Sequence, residues 1–181
     1  LKRGYKVALA DQIEDPAEAK GLVKRDIIRV LTPGAVDDPD GLDRDAPNYV
    51  LAVHEEPGLQ AWTVALADLS TGELRLGNVD GIAQIRPLVE RFRPKEVLAR
   101  RFFHEDLAAQ LASYRVDHKL LIEALPEAPL RDASEQKSLL SQIFGKQELS
   151  SQPCGACPGG EPLVAALLVH FRSLQASLNQ F

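Results

Sequence analysis

Between Tyr49 and Val79 the chain lays down three β-rich runs, Tyr49 to Val53, Ala61 to Asp68 and Glu73 to Val79. The joints between them, Glu55-Glu56-Pro57-Gly58 and Ser70-Thr71-Gly72, are of hairpin size and supply the Gly and Pro that tight reversals demand. Such joints argue for an antiparallel meander. From Ile82 the period changes. Ile82, Ile85, Val89 and Phe92 follow helical spacing, with Pro87 expected to kink or delay the helix. Glu96-Val97-Leu98-Ala99 then reads as a short buried strand and Phe102 to Ser113 as a helix. Lys119 to Leu125 offers another strand, Ala133 to Phe144 a helix, and Leu163 to Leu178 a terminal helix striped by Leu163, Leu167, Phe171, Leu174 and Leu178. A meander followed by alternation describes an α/β mixed sheet with flanking helices.

Upstream the pattern is thinner. Tyr5 to Ala10 and Ile27 to Leu31 read as strands, and Asp15 to Gly21 as a short helix with Asp15 as N-cap, Pro16 in its first turn and Gly21 as stop. Two strands and a helical turn are marginal alone, so residues 1–34 are expected to be an incomplete α/β segment of something larger. Residues 35–47 carry five Asp, two Pro and one Gly, with only Val36 and Leu42 as large apolar groups, and read as a linker. The expected division is therefore 1–34, a linker over 35–47, and a second domain over 48–181.

Composition narrows the functional classes. With 45% hydrophobic and 26% charged residues the chain can bury a core, which excludes disorder. Its formal charge of −5 is unremarkable, yet residues 1–34 hold seven basic against five acidic side chains. No apolar run approaches the ~20 residues of a membrane span, and the start has no apolar secretion core, so a cytoplasmic location is expected. The absence of Met suggests an excised or processed chain.

The motifs that carry chemistry are few. Cys154-Gly155-Ala156-Cys157 lacks a second ligand pair for zinc and sits in a Pro/Gly loop rather than after a first strand, so it reads as a plain loop. With Gly41 at the sixth position of a calcium loop, Val36 and Pro47 would occupy the first and twelfth, where ligands belong, and the template fails. Asp68, at a strand end before Ser70-Thr71-Gly72, invites comparison with two-metal nucleases, but one carboxylate does not hold two metals and only Glu96 or Asp106 could join it. A turn in which Asp68 bonds its own backbone is the better expectation. His54, His104, His118 and His170 share no spacing, and there is no nucleophile elbow and no P-loop. No catalytic or metal-binding residue is assigned. The cluster Lys20, Lys24, Arg25 and Arg29 is the one feature pointing at nucleic acid, interspersed with Glu18 and Asp26.

Order and spacing sharpen that hint. Gly4-Tyr5-Lys6-Val7-Ala8, Asp11-Gln12-Ile13-Glu14-Asp15-Pro16, Lys20-Gly21-Leu22-Val23-Lys24-Arg25 and Arg29-Val30-Leu31-Thr32-Pro33-Gly34 together resemble the bacterial MutS family of DNA mismatch repair proteins. Asp11 stands for that family's usual Glu and Ala35 for its usual Thr. The likeness continues through Asn48 to Ala52, Asp68 to Glu73, Arg93 to Leu98 and Phe144-Gly145, and so spans the chain. The resemblance implies that residues 1–34 close a mismatch-recognition domain and that 48–181 form a connector domain of ribonuclease H-like fold without catalysis.

It implies also that the family's Phe-x-Glu mismatch wedge lies upstream of Leu1, and that the ATPase domain, with its ATP and Mg, lies beyond Phe181. The intact protein would act as a homodimer that kinks mismatched duplex DNA by inserting an aromatic side chain, then moves its domains on nucleotide exchange. This stretch would link the two ends, transmit the change and offer a surface to the MutL partner. Lys24 and Arg25 would help hold the DNA backbone, and the helix around Glu135, Gln136 and Lys137 is the first place to look for the MutL surface. The location implied is bacterial, cytoplasmic and nucleoid-associated, with no membrane partner. The alternatives are a metal-dependent ribonuclease H-like nuclease and a stand-alone protein-interaction domain.

Overall fold

The computed structural model describes residues 3–14, 21–35, 46–55, 62–144 and 157–175. Strands β1 (Val7–Gln12) and β2 (Arg25–Leu31) form an antiparallel pair in which Val7 faces Leu31 and Gln12 faces Arg25, with a shift of register after Leu9. The second sheet has five strands: β3 (Tyr49–Glu55), β4 (Trp62–Asp68), β5 (Glu73–Val79), β6 (Glu96–Ala99) and β7 (Leu121–Ala124), in the order β5-β4-β3-β6-β7. A 3₁₀ turn (Ile82–Gln84) leads into α1 (Ile85–Phe92), and α2 (Arg101–Gln110) and α3 (Ala112–His118) follow β6. The chain continues through α4 (Ala128–Arg131), α5 (Ala133–Phe144) and α6 (Gly160–Gln175).

The meander forms as the short joints require, with β4 antiparallel to both β3 and β5. On the other side β3, β6 and β7 are parallel, because each connection carries a helix long enough for a crossover. The mixed α/β sheet with flanking helices expected from the sequence is the fold observed. β3 is its centre, buried from Tyr49 to His54, and it reads as a continuous apolar run rather than an alternating one because both faces are covered.

Alternation along the strands assigns each residue to a face. Tyr49, Leu51, Val53, Trp62, Leu66, Val97, Ala99 and Ile122 point to one side, where Ile85 and Val89 of α1, Leu107 of α2 and Tyr114 of α3 meet them. Trp62 and Phe103 pack edge to face with centroids 4.8 Å apart. Val50, Ala52, Ala65, Ala67 and Leu98 point to the other side, against Leu163, Ala166, Leu167, Phe171 and Leu174 of α6. Three alanines on the sheet and one on the helix let α6 lie close against it.

Several element bounds differ from the expectation for identifiable reasons. β1 begins two residues later than expected, since Tyr5 stands exposed before the pairing starts. Pro87 neither stops nor kinks α1, because it sits in the first turn, where an N–H has no intrahelical partner. The helix expected from Phe102 to Ser113 bends at Leu111 (φ −97°, ψ 9°) and runs on to His118. The Arg115 N–H still bonds the Leu111 carbonyl at 2.7 Å, so the bend keeps Leu107, Leu111 and Tyr114 on the core side. α4 was not anticipated. The terminal helix starts at Gly160, three residues before Leu163, with Pro162 in its first turn. Residues 15–20 of the expected first helix, 36–45 of the expected linker, Cys154 and Leu178 lie outside the described residues.

Leu167 is buried at the centre of the α6 contact, whereas Val116 is 79% exposed on α3. Leu167→Ala should cost about 2–5 kcal/mol of unfolding free energy in urea titrations, because it leaves a cavity. Val116→Ala should stay within about 0.5 kcal/mol.

Candidate functional site

The chain leaves β2 through Thr32-Pro33-Gly34-Ala35, and this turn is buried on the second sheet. The Ala35 N–H closes it on the Thr32 carbonyl at 3.2 Å. Gly34 is required by proximity: a Cβ there would lie 2.3 Å from Val50 Cγ2 and 3.0 Å from the Glu96 side chain. The turn therefore rests directly on the first residues of β3 and β6.

Around it runs one continuous polar path. Asn48 donates its backbone N–H to Asp68 Oδ2 (2.9 Å) and its side-chain amide to the Gly34 carbonyl (3.2 Å). Gly34 in turn donates its N–H to Glu96 Oε2 (3.3 Å), and Glu96 Oε1 lies 3.1 Å from His170 Nε2 of α6. That last contact is an ion pair by distance whose alignment falls short of a hydrogen bond. Glu96 is fully buried and His170 nearly so. A buried acid is tolerated only with polar groups about it, and here Oε2 accepts from Gly34 while Oε1 faces the His170 ring nitrogen. The path ties the exit of β2 to β3, β4, β6 and α6. Thr32 Oγ1 is buried beside it and has no hydrogen-bond partner among the described residues.

Asp68 spends its carboxylate locally, as expected. Oδ1 accepts the Ser70 N–H (2.9 Å) and the Ser70 hydroxyl (2.6 Å), while Oδ2 accepts from Asn48. Burial pushes the carboxyl up, but these bonds, with one from the Thr71 backbone, outweigh it and hold Asp68 below the usual carboxylate range. Glu96 lies on the next strand but one, sealed under Gly34, and among the described residues no group of three or more His, Cys, Asp or Glu is placed to hold a metal.

The other predicted residues fall in separate places. Lys24 and Arg25 are exposed at the far end of the hairpin, about 25 Å along β2 from Thr32 at about 3.3 Å per residue. The backbone there is held: the Lys24 N–H bonds Glu14 Oε2 (3.2 Å), and Ile13 donates to the Lys24 carbonyl (3.1 Å). Glu135, Gln136 and Lys137 lie near the start of α5, which packs on α4 and α6. Asp132 caps that helix through the N–H groups of Ser134 (2.8 Å) and Glu135 (3.2 Å). Gln136 is committed to the Pro129 carbonyl (2.7 Å), Glu135 is half-buried and Lys137 is exposed. Cys157 Sγ contacts Asn78 Oδ1 at 3.1 Å in a loop, and burial raises its thiol.

Sequence reasoning missed the junction. Glu96 and His170 are 74 positions apart, and nothing in their spacing pairs them. One available indication was a charged residue inside the apolar run Glu96 to Ala99, since a buried carboxylate must find a partner. Phe103-His104-Glu105 has the Phe-x-Glu form of the mismatch wedge, although the sequence places Phe103 in another context. In the fold Phe103 packs on Trp62 and is not available as one.

Family profiles of known proteins match two stretches of the chain. The family profile of MutS domain I matches residues 1–40, and that of MutS domain II matches residues 48–179. A DNA mismatch repair protein MutS from Pseudothermotoga lettingae is 33% identical over 153 residues, which is 84% of this chain and 18% of that protein. One from Acetivibrio thermocellus is 37% identical over 123 residues, 65% of this chain and 14% of the relative. One from Desulfitobacterium hafniense is 43% identical over 98 residues, 54% and 11% respectively. The chain thus spans less than a fifth of the length of these relatives.

Two measurements test the junction. Because Asp68 is held below its ordinary value of about 3.9, its contribution is present above that pH and lost as pH falls through the folded value. Asp68→Asn presents a donor to the Asn48 N–H and should cost about 1–3 kcal/mol near neutral pH. In urea titrations across pH, the gap between it and the parent should narrow below about pH 4. His170→Ala should cost about 1–3 kcal/mol by removing the polar group that faces the buried Glu96 Oε1. Adding Glu96→Gln to that variant should recover part of the loss, a coupling that a double-mutant cycle reads directly.

Proposed function

Starting from the fact that the chain belongs to the MutS family, with residues 1–40 matching its domain I and residues 48–179 its domain II, we propose that it is the part of a DNA mismatch repair protein that links a DNA-binding end to the rest of the molecule and passes conformational change between them. The observation that carries this reading is the path from Gly34 through Glu96 to His170. A turn leaving the domain I hairpin is keyed into the sheet of domain II and, through it, into the terminal helix. Gly34 lies so close to Val50 and Glu96 that a side chain there would clash with both, and a shift of the hairpin would press on β3 and β6 at that point.

The reading gives this stretch no catalytic step. Its support is that Asp68 is engaged with Asn48 and Ser70 while Glu96 is sealed beneath Gly34, so neither presents a carboxylate to a metal and substrate. The nuclease alternative would need both exposed. ATP and magnesium would be bound by other parts of the parent protein, which would act as a homodimer on mismatched duplex. Lys24 and Arg25, exposed on the hairpin, would contact the DNA backbone. No helix among the described residues is long and apolar enough to cross a membrane. A cytoplasmic, nucleoid-associated location accompanies the proposal.

The MutL partner would dock on α5. Lys137 with Ser141 and the half-exposed Ile143 forms the open part of that helix, while Gln136 serves the fold. A titration against MutL should show saturable binding that Lys137→Glu weakens about tenfold. Equal affinity for parent and variant would remove α5 as the docking surface. The chain should bind mismatched and matched duplex with the same affinity, since Phe103 is packed on Trp62; a clear preference at fixed salt would refute this.

A further inference from the structure

The chain as a whole is acidic, yet residues 86–119 carry eight basic and five acidic side chains, and one of those acids is the buried Glu96. The fold gathers part of this excess at one end of the sheet. β6 and β7 are parallel neighbours, so the turns that enter them lie side by side: the Lys95 carbonyl accepts the Leu121 N–H at 3.3 Å. Arg93 and Lys95 belong to one turn, Lys119 to the other, and Arg115 to the last turn of α3, where its carbonyl accepts the Leu120 N–H at 3.1 Å. Arg93 is close enough to α3 for its charge to act on the Tyr114 phenol. Arg93, Lys95, Arg115 and Lys119 are all exposed, and none has an ion-pair partner among the described residues. Of the nearby acids, Glu90 is paired with Arg86 at 2.8 Å, Glu123 with Lys6 at 2.7 Å, and Asp117 is exposed.

A second observation is independent of charge. Arg93 (φ 49°) and Lys119 (φ 56°) are the two non-glycine residues with positive φ among those described. Each ends a helix in the left-handed conformation, where glycine is the unstrained choice. The negative end of a helix dipole favours a cation nearby, but that is satisfied by a side chain anywhere in the last turn, as Arg91 and Arg115 already do. Two strained cations on adjacent turns point to use of the side chains themselves.

We propose that Arg93, Lys95, Arg115 and Lys119 form a docking edge for the phosphodiester backbone of duplex DNA. The two turns enter neighbouring strands, which lie about 4.8 Å apart, so the four charges are gathered at one end of the sheet. A phosphate chain fits this edge better than a protein does. Protein interfaces centre on apolar and aromatic groups with charge at the rim, whereas the run from Arg115 to Lys119 exposes Val116 as its one apolar side chain. The assignment rests on the reading of the chain as part of a DNA mismatch repair protein, which supplies the class of polyanion. The edge reads no sequence and no mismatch; it holds backbone.

The test is titration of a labelled, fully matched duplex at several salt concentrations. Arg93→Gly combined with Lys119→Gly should weaken binding alike for matched and mismatched duplex and reduce the slope of log affinity against log salt by about 1.8, about 0.9 per lost phosphate contact. The same variant should melt at the parent's temperature or above it, because glycine relieves both left-handed positions. A pair at ordinary backbone positions, Lys95→Gln with Arg115→Gln, should reduce the slope equally. An unchanged slope in either variant overturns the proposal, as does failure of the parent to bind duplex at low salt. Loss of MutL binding with duplex binding intact would assign the edge to a protein partner and overturn it too. Failure of Lys137→Glu to affect MutL while the slope still falls would count against the α5 docking site alone.

Discussion

Glu96 is the residue on which the arrangement turns. It lies fully buried at the start of a central strand, and an isolated carboxylate there would be far costlier than the sheet could offset. It is tolerated because two groups come to it from different directions: an N–H from the turn leaving the hairpin, and an imidazole from the last helix. Three parts of the chain distant in sequence are thereby required to meet at one point. Apolar packing of the same volume would hold them together without specifying the meeting point so narrowly. The extension through Asn48 to Asp68 carries the constraint across β3 to β4.

The two faces of the sheet divide the remaining work. One carries aromatic and branched side chains and is filled by α1, α2 and α3, with Trp62 against Phe103 and Tyr49 against Phe92. The other is lined by alanines, so α6 can lie near enough for His170 to reach Glu96. Larger residues at Ala52, Ala65 or Ala67 would lift the helix and separate the pair. The hairpin is less embedded. Leu9 and Ile27 are about half exposed, and its main ties to the rest are the Thr32–Ala35 turn, the packing of Val30, the Lys6–Glu123 pair and the seating of Gly4 on the Lys119 carbonyl. A lightly attached hairpin joined through a rigid turn suits an element whose movement is to be felt elsewhere.

Most elements were legible because their causes are local. The meander follows from joints too short to cross over, α5 from Asp132 and the apolar spacing after it, and the Asp68 turn from a carboxylate two residues before a serine. Element ends were less legible where tertiary contacts set them. α3 runs to His118 because Leu111 and Tyr114 must reach the core, and it stops at Lys119 with no glycine to mark the stop. The sites divide in the same way. Lys24, Arg25 and Lys137 were named through the family resemblance, but Gln136 could not be known to serve Pro129 until the short helix before α5 was seen.

The sequence by itself determined the strand and helix pattern, the mixed sheet and, through the order of its motifs, the family, because each of these depends on residues near one another or on spacings that can be counted. Only the tertiary structure decided the pairing of Glu96 with His170 under Gly34, and the alignment of Arg93, Lys95, Arg115 and Lys119 along one edge. Both depend on which strands become neighbours and in what register. That is set by the summed burial of two sheet faces, and no pair of residues read along the chain carries it.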